Sequence, residues 1–455
     1  MKQDSDGENR LRRYAQGFRR EANPRRDAGS LMAAARQGQA RPRGPLAMVP
    51  SLAMAGGVLI AGVLIAFGAW QLRTLGQKPP TPPISLNTAT PSATPSSTPT
   101  PSPSASPSPT PTPAPPPGAV PGGIPALASI QMVGPHLGWA VGSHAIYATT
   151  DGTHWFKQYS STEDFVGVDF ISTTTGWVVG GQTLLGTTDG GRSWHQLGEA
   201  PQLIRSVHFV SATQGWGIAG GNAELIMHGV LIPSSGGSVV VSNDGGRSWA
   251  DLSSPADPQS LCFSDAAHGW LATQSGTVYR SQDGGQSWSQ VLQMARSQPG
   301  LSGWARVECA APSALWVQWA LGGAAAGHTP YVVYATTNGQ SWRTVMAEPG
   351  TIGNQLPGVP AGPGSYPGSF SVVDPSDAVF VGDTPPANAA SVMIATNGGA
   401  TLKSTGQIAG AWQTFDAAFV STSTGWVLTV SGNGQAIIVA TTDGGYHWST
   451  QLAGP

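Results

Sequence analysis

The sequence predicts an all-β domain over residues 119–455, a seven-bladed β-propeller of four-stranded antiparallel blades, preceded by one transmembrane helix and a disordered Pro/Ser/Thr-rich stalk. Three observations predict the ring. A short turn, usually built around an acidic residue and glycine and closed by tryptophan, occurs seven times: "TTDGTHW" at 149–155, "TTDGGRSW" at 187–194, "SNDGGRSW" at 242–249, "SQDGGQSW" at 281–288, "TTNGQSW" at 336–342, "ATNGGATL" at 395–402 and "TTDGGYHW" at 441–448. Each copy follows a second element, an apolar strand marked by Trp139, Trp177, Trp216, Trp270, Trp316, Phe380 or Trp426. Seven residues before each of those aromatics stands Met132, Phe170, Phe209, Phe263, Cys309, Val373 or Phe419, usually with an apolar neighbour two positions earlier, which is the period of a strand.

One unit therefore reads as strand A ("VDF"), a turn, strand B ("GWVVG"), a turn, strand C ("TLLGTT"), the acidic turn, and strand D beginning at the tryptophan. Four short strands per unit make a propeller blade, and units of about 48 residues leave no block for a second domain. Closure of the ring is expected by face packing of the first and last units, without an exchanged strand.

The elements before the ring follow in chain order. Residues 1–44 hold eleven Lys and Arg against five Asp and Glu and read as a disordered, basic cytoplasmic tail. Residues 45–72 carry no charge, and the proline-free part, "SLAMAGGVLIAGVLIAFGAWQL", is long enough to cross a hydrocarbon core of about 30 Å as a helix. Arg36, Arg41 and Arg43 crowd its N-terminal flank, which places the N-terminus inside and the propeller outside a plasma membrane. Residues 73–118 form the linker; from 79 onward it has neither charge nor aromatic ring, cannot bury a core and is expected as an extended stalk.

Within each repeat, the acidic side chain can accept hydrogen bonds from backbone N–H groups of its own turn, the glycines take positive φ, and the tryptophan fills the gap between strands. Asp151, Asp189, Asp244, Asp283 and Asp443 are therefore read as staples. Asn338 and Asn397 stand in the same place, which suits hydrogen bonding and not acid, base or metal chemistry.

These turns resemble the Asp-box or BNR repeat, S/T-x-D-x-G-x-S/T-W, found in sialidases and in non-enzymatic propellers. The fuller unit "FISTTTGWVVGGQTLLGTTDGGRSW" is similar to the repeat of the photosystem II assembly and stability factor family. That resemblance implies a seven-bladed ring, an arginine-rich propeller patch, a photosystem partner and a photosynthetic role. Residues 73–455 depart from it in holding eleven basic against nineteen acidic residues. A sialidase needs an arginine triad, a tyrosine nucleophile with a carboxylate partner, and an acid, and this set is not evident. No catalytic residue, metal site or cofactor is predicted: the nine histidines form no H-E-x-x-H and no H-x-H pair.

If strands run A to D outward from the axis, all acidic turns share one face with the A–B turns. The long insertions, at 221–237, 295–303, 322–329 and 347–368, all leave the other face. Twelve of sixteen tryptophans fill repeat positions and Trp70 lies in the apolar segment, leaving Trp304, Trp319 and Trp412 near that second face. With Arg205, Arg306 and Tyr366 they form the candidate binding surface, because large aromatics and arginine anchor interfaces. Cys262 and Cys309 sit on neighbouring A strands one residue out of register, facing either toward each other or both away; free buried thiols are the reading adopted.

The functional expectation is a membrane-anchored, extracytoplasmic, non-catalytic binding or assembly-factor-like scaffold for a protein or cell-wall polymer, with no nucleic-acid partner. The alternative is a glycan-binding or sialidase-like hydrolase of the cell wall.

Overall fold

The computed structural model describes residues 127–453 apart from 181–182, 199–202, 228–229, 295–302, 322–327, 349–357 and 433, with backbone alone over 222–227 and 230–235. Among these residues every regular element is a strand except the 3-10 turn Pro385–Ala387. Six sheets surround the axis: one of six strands, from Leu127–Met132 to His195–Gln196, and five of four strands. The four-stranded sheets begin at Ile204–Phe209, Pro258–Phe263, Trp304–Ala311, Tyr366–Val372 and Ala411–Phe419. A separate hairpin pairs Asn222–Met227 with Val230–Ser235.

Counted by its sheets the molecule is a six-bladed propeller, which corrects the seven separate blades expected from the repeats. The cause lies at the start of the ring. Strand Trp155–Phe170 serves as the last strand of the first repeat and the first of the second, pairing with Gly138–Thr149 along one half and with Gly176–Gly180 along the other. Two repeats thereby merge into one six-stranded sheet, and seven sequence repeats ride on six sheets.

The membrane expectation is also corrected. Among the described residues no helix is long and apolar enough to cross a membrane. The apolar segment at 45–72, the basic tail and the stalk all lie outside the described residues. The single-pass anchor, the membrane partner and the plasma-membrane location, expected from the uncharged apolar run and its basic flank, are therefore not supported.

The first strand of each repeat packs against the first strands of its neighbours, which sets these strands around the axis. Between repeats the core is aromatic. Trp139 stacks on Phe170 with ring centroids 3.4 Å apart, Trp177 on Phe209 at 3.6 Å and Trp216 on Phe263 at 3.7 Å. The acidic-turn tryptophans Trp194, Trp249 and Trp288 then meet the same phenylalanines edge-on. This geometry explains the glycine before five of the six strand B tryptophans, all but Trp316. A Cβ at Gly176 would lie 2.4 Å from the Phe170 ring, and one at Gly425 2.2 Å from that of Phe419.

The chain contains its own control for that steric rule. Cys309 replaces the phenylalanine in one repeat and Leu315 stands opposite it; Val372 replaces it in another, opposite Ala378. The register therefore makes Val372, not Val373, the counterpart of Phe170, so the sequence alignment of that repeat was one residue out. Gly176→Ala is expected to cost about 2 kcal/mol through overpacking, and Phe170→Val in the same chain to recover most of it, as urea unfolding of both variants would report.

Polar side chains on the inner strands form a second series of ties, each reaching an inner backbone group of the next repeat. Gln131 accepts from Phe170 N–H, Asp169 from Phe209 N–H at 2.6 Å, Glu308 from Val372 N–H at 2.9 Å and Ser371 from Phe419 N–H at 3.0 Å. His208 Nε2 donates to the Phe263 carbonyl at 2.7 Å. At the next junction Ser260 accepts from Val307 N–H, and Cys262, in the register position of Asp169 and His208, forms a disulfide with Cys309. The thiols expected to be free are thus paired, facing each other across the junction with Cα atoms 6.0 Å apart.

The ring closes without strand exchange. Asp416 accepts from Ile130 N–H at 3.0 Å and Ser129 Oγ at 2.9 Å. Trp426 Nε1 donates to the Gly152 carbonyl, and both Trp155 and Trp426 donate to Gln451 Oε1.

Candidate functional site

The acidic turns come first, because they are the recurrent carboxylates. Asp189 Oδ1 accepts from Thr187 Oγ1 at 2.8 Å and Ser193 N–H at 2.9 Å, and its Oδ2 accepts from Ser193 Oγ at 2.6 Å. Burial pushes this carboxyl upward, but the Ser193 and Thr187 hydroxyls with the turn N–H groups hold it at about 2. The same pattern recurs at Asp244 and Asp283 through Ser248 and Ser287, and at Asp151 and Asp443 through His154 and His447. Asn338 performs the task with its amide oxygen, accepting from Gln340 and Ser341 N–H groups. Asn397 does not: it adopts a φ of 56°, donates its N–H to Asp377 and its amide to Thr401. The first glycine of these turns also ties the two loops of one face, as when Gly190 N–H reaches the Thr174 carbonyl.

The six candidate surface residues fall into four environments. Trp304 and Trp319 are 6% and 1% exposed and belong to the inter-blade core. Trp319 fits there because Gly276 and Gly303 leave room; a Cβ at Gly303 would lie 2.4 Å from its ring. Arg205 is buried and donates through Nε and Nη2 to the carbonyls of Gly220 and Gly221, bracing the turn at the foot of the 222–235 hairpin. Burial lowers its pKa.

Arg306, on the inner strand of the fifth repeat, reaches across to that of the seventh. Its Nη2 lies 2.8 Å from Glu308 Oε1 and 2.9 Å from Asp416 Oδ1, and the guanidinium sits over the Phe370 ring at 5.3 Å. Burial works against the charge, yet Asp416 and Glu308 more than offset it and raise its pKa. Burial pushes Glu308 upward in turn, against the pull of Arg306. Because Glu308 and Asp416 also accept from Val372 and Ile130, one network links four consecutive repeats across the closing seam.

Tyr366 and Trp412 are half-buried and stand on neighbouring inner strands of the insertion-bearing face. Tyr366 pairs in register with Asp383, whose carboxylate accepts from Thr414 N–H at 3.0 Å and Thr414 Oγ1 at 2.8 Å, two residues from Trp412. Tyr366 and Trp412 thus stand on adjoining inner strands of two neighbouring sheets, and Arg205 on a third.

Burial pushes Asp383 up to about 7, against the Thr414 hydrogen bonds. The folded state keeps this proton to about pH 7, whereas the unfolded chain releases it near pH 4. Its contribution to stability is complete below about pH 4 and lost as the pH rises toward 7, at a slope approaching 1.4 kcal/mol per unit. Asp383→Asn, which keeps the acceptor for Thr414, should therefore gain stability relative to the parent between about pH 5 and 8. Thermal melts across that range check it, and a pH-independent difference would refute it.

Tyr331 is 1% exposed and donates to the Gly364 carbonyl at 3.1 Å. Burial pushes its phenol far up, so the phenolate is suppressed. Glu348 is paired with His328 Nδ1 at 3.1 Å. Sequence reasoning passed over Asp169, Asp383 and Asp416, although an acid inside an apolar strand, as in "VDF" and "FDAAF", is a readable signal for a buried tie.

A family profile described as photosynthesis system II assembly factor YCF48 matches residues 154–298, less than half of the chain. No curated protein matches. A solved YCF48 bound to a D1 peptide is similar at 16% identity and a TM-score of 0.47, covering 71% of this chain and 93% of that one. YCF48 from Cyanidioschyzon merolae is similar at 15% identity and a TM-score of 0.43, covering 63% and 84%. The GH74 xyloglucanase from Xanthomonas campestris is similar at 13% identity and a TM-score of 0.49, covering 72% of this chain and 55% of the enzyme. The chain is an Asp-box propeller that resembles the YCF48-type assembly factors.

Proposed function

We propose that the propeller is a non-catalytic binding scaffold, similar in role to assembly factors, that holds a protein or polymer partner on the face bearing its insertions. The observation that carries this reading is the placement of half-buried Tyr366 and Trp412 on adjoining inner strands at that face, beside a proline- and glycine-rich link. Within the link, Ala347 N–H donates to Pro360 O and Thr329 N–H to Ser365 O, while Gln318 Nε2 reaches Pro367 O, just inside the following strand. Anchored loops present aromatic rings at low entropic cost, which suits a binding platform.

Binding is preferred to hydrolysis because the tyrosines and carboxylates a glycosidase would use are committed elsewhere. Tyr331 is locked to Gly364, Asp383 to Thr414, and Glu308 to Arg306 and Val372. Incubation of the full chain with fluorogenic sialosides and wall polysaccharides tests the choice. No release above a heat-denatured control is expected; turnover abolished by Tyr366→Phe or Trp412→Ala would overturn it.

A further inference from the structure

The acidic-turn face carries a depression that the reading above does not use. Its volume is about 540 Å³, and Met132, Val133, Pro135, Val373, Phe419 and Val420 line it. These residues are the ends of inner strands and the A–B turns that follow, so the depression lies where three repeats meet beside the closing seam. Most of them are only half-buried, and with Ser421 and Thr424 they make a floor, apolar over about half of its surface, that is open to solvent. Space of this size takes one large side chain of a partner together with part of the adjoining backbone.

The border of the depression is anionic. Asp374 and Asp377 follow Val373 directly. The Asp151 turn rests against it, since a Cβ at Gly152 would lie 2.2 Å from the Pro135 carbonyl. The Asp443 turn is tied to it by Gly444 N–H donating to Ser423 O at 2.8 Å. The turns at 133–137, 150–154, 373–377, 397–400, 420–424 and 442–447 contain these four carboxylates and no Lys or Arg. His136, His154 and His447 also stand there, the last two hydrogen-bonded to Asp151 and Asp443. Lys403 lies over the Tyr446 ring at 5.5 Å. Burial opposes ionisation of Asp151, but His154 and Thr153 hold it below the usual carboxylate range; the His447 N–H and imidazole hold Asp443 at about 2. Asp151 and Asp443 therefore stay ionised across the neutral and mildly acid range.

We propose that this depression binds a basic polypeptide segment, seating one large apolar side chain on the floor while flanking Lys or Arg residues pair with Asp374, Asp377, Asp151 and Asp443. Charge complementarity selects that occupant: an acidic or neutral apolar segment meets the same floor but a repulsive or indifferent border. The site is independent of the Tyr366–Trp412 face.

The test uses the full chain and a fluorescein-labelled heptapeptide with leucine at its centre and three Lys or Arg residues on each side, read by fluorescence polarisation. Saturable binding is expected, weakening at least about tenfold between about 50 and 500 mM NaCl. Gly134→Trp should weaken it by about tenfold or more, because a Cβ at Gly134 meets nothing within 4 Å and the new ring fills the depression without displacing the core. Asp374→Asn with Asp377→Asn, which keeps the turn acceptors for Ser376 and Asn397, should do the same through charge alone. Alanine at the centre of the peptide should lower affinity likewise. Absence of saturable binding, unchanged affinity in either folded variant, or equal affinity for a glutamate-flanked peptide would each overturn the proposal. Trp412→Ala leaves this binding unchanged, which separates its failure from failure of the scaffold reading.

Discussion

Arg306→Met is expected to lower the unfolding free energy by about 3–5 kcal/mol, the cost of leaving a buried charge network without its cation. The arginine side chain is 14% exposed, and those of Asp416 and Glu308 are 10% and 25% exposed, so water does little to soften their mutual repulsion once it is gone. The loss should fall on ring closure, because Asp416 is also the acceptor that holds Ile130 and Ser129 at the seam. Combining Arg306→Met with Glu308→Gln and Asp416→Asn keeps both backbone acceptors and removes the like charges. That triple variant should recover most of the stability, and urea unfolding of the set measures the coupling. A single substitution that costs under about 1 kcal/mol would show that the network is peripheral to closure.

Loss of the disulfide is expected to cost about 4 kcal/mol, from the chain entropy of a loop closed across a sequence separation of 47 residues. The bond occupies a junction where the aromatic stack is missing, since Cys309 stands where other repeats place phenylalanine. There Trp270 packs instead against Trp342 at 6.1 Å and under Arg280 at 5.0 Å. Cys262→Ala with Cys309→Ala should therefore lower stability without disturbing strand content, because the surrounding core of Trp270, Val307, Leu315 and Trp319 is intact. Urea unfolding followed by circular dichroism, with intact mass confirming the bond in the parent, reports both quantities.

The strands and turns were legible because their signals are local. The "GW" step, the acidic turn and the apolar period two each arise within a few residues, and steric contact between Gly176 and Phe170 explains why the first of them recurs. The merging of the first two repeats was not legible, since it follows from how far Gly138–Thr149 and Trp155–Phe170 extend their pairing and not from any turn residue. The disulfide was not legible: the sequence left the two cysteines facing each other or both away, free thiols were the reading adopted, and the positions of the two strands bring them together.

Of the candidate surface, side-chain chemistry was readable and burial was not. Trp304 and Trp319 look like interface anchors by type, yet the room that draws Trp319 inward comes from Gly276 and Gly303, one of them on a different repeat. Arg306 reads equally well as a surface anchor until Asp416, 110 positions away, is placed beside it. Tyr366 and Trp412 retain partial exposure because their strands begin at the face where the anchored link departs.

The most direct measurement is photocrosslinking in the cells that make the protein, with benzoylphenylalanine at position 412 and, as a separate control, at Trp177, 3% exposed in the inter-blade core. A discrete adduct from position 412, absent from the core control and diminished by Tyr366→Ala, is the predicted result. No adduct from position 412 in folded protein, together with glycan turnover by the same preparation, would contradict a binding scaffold.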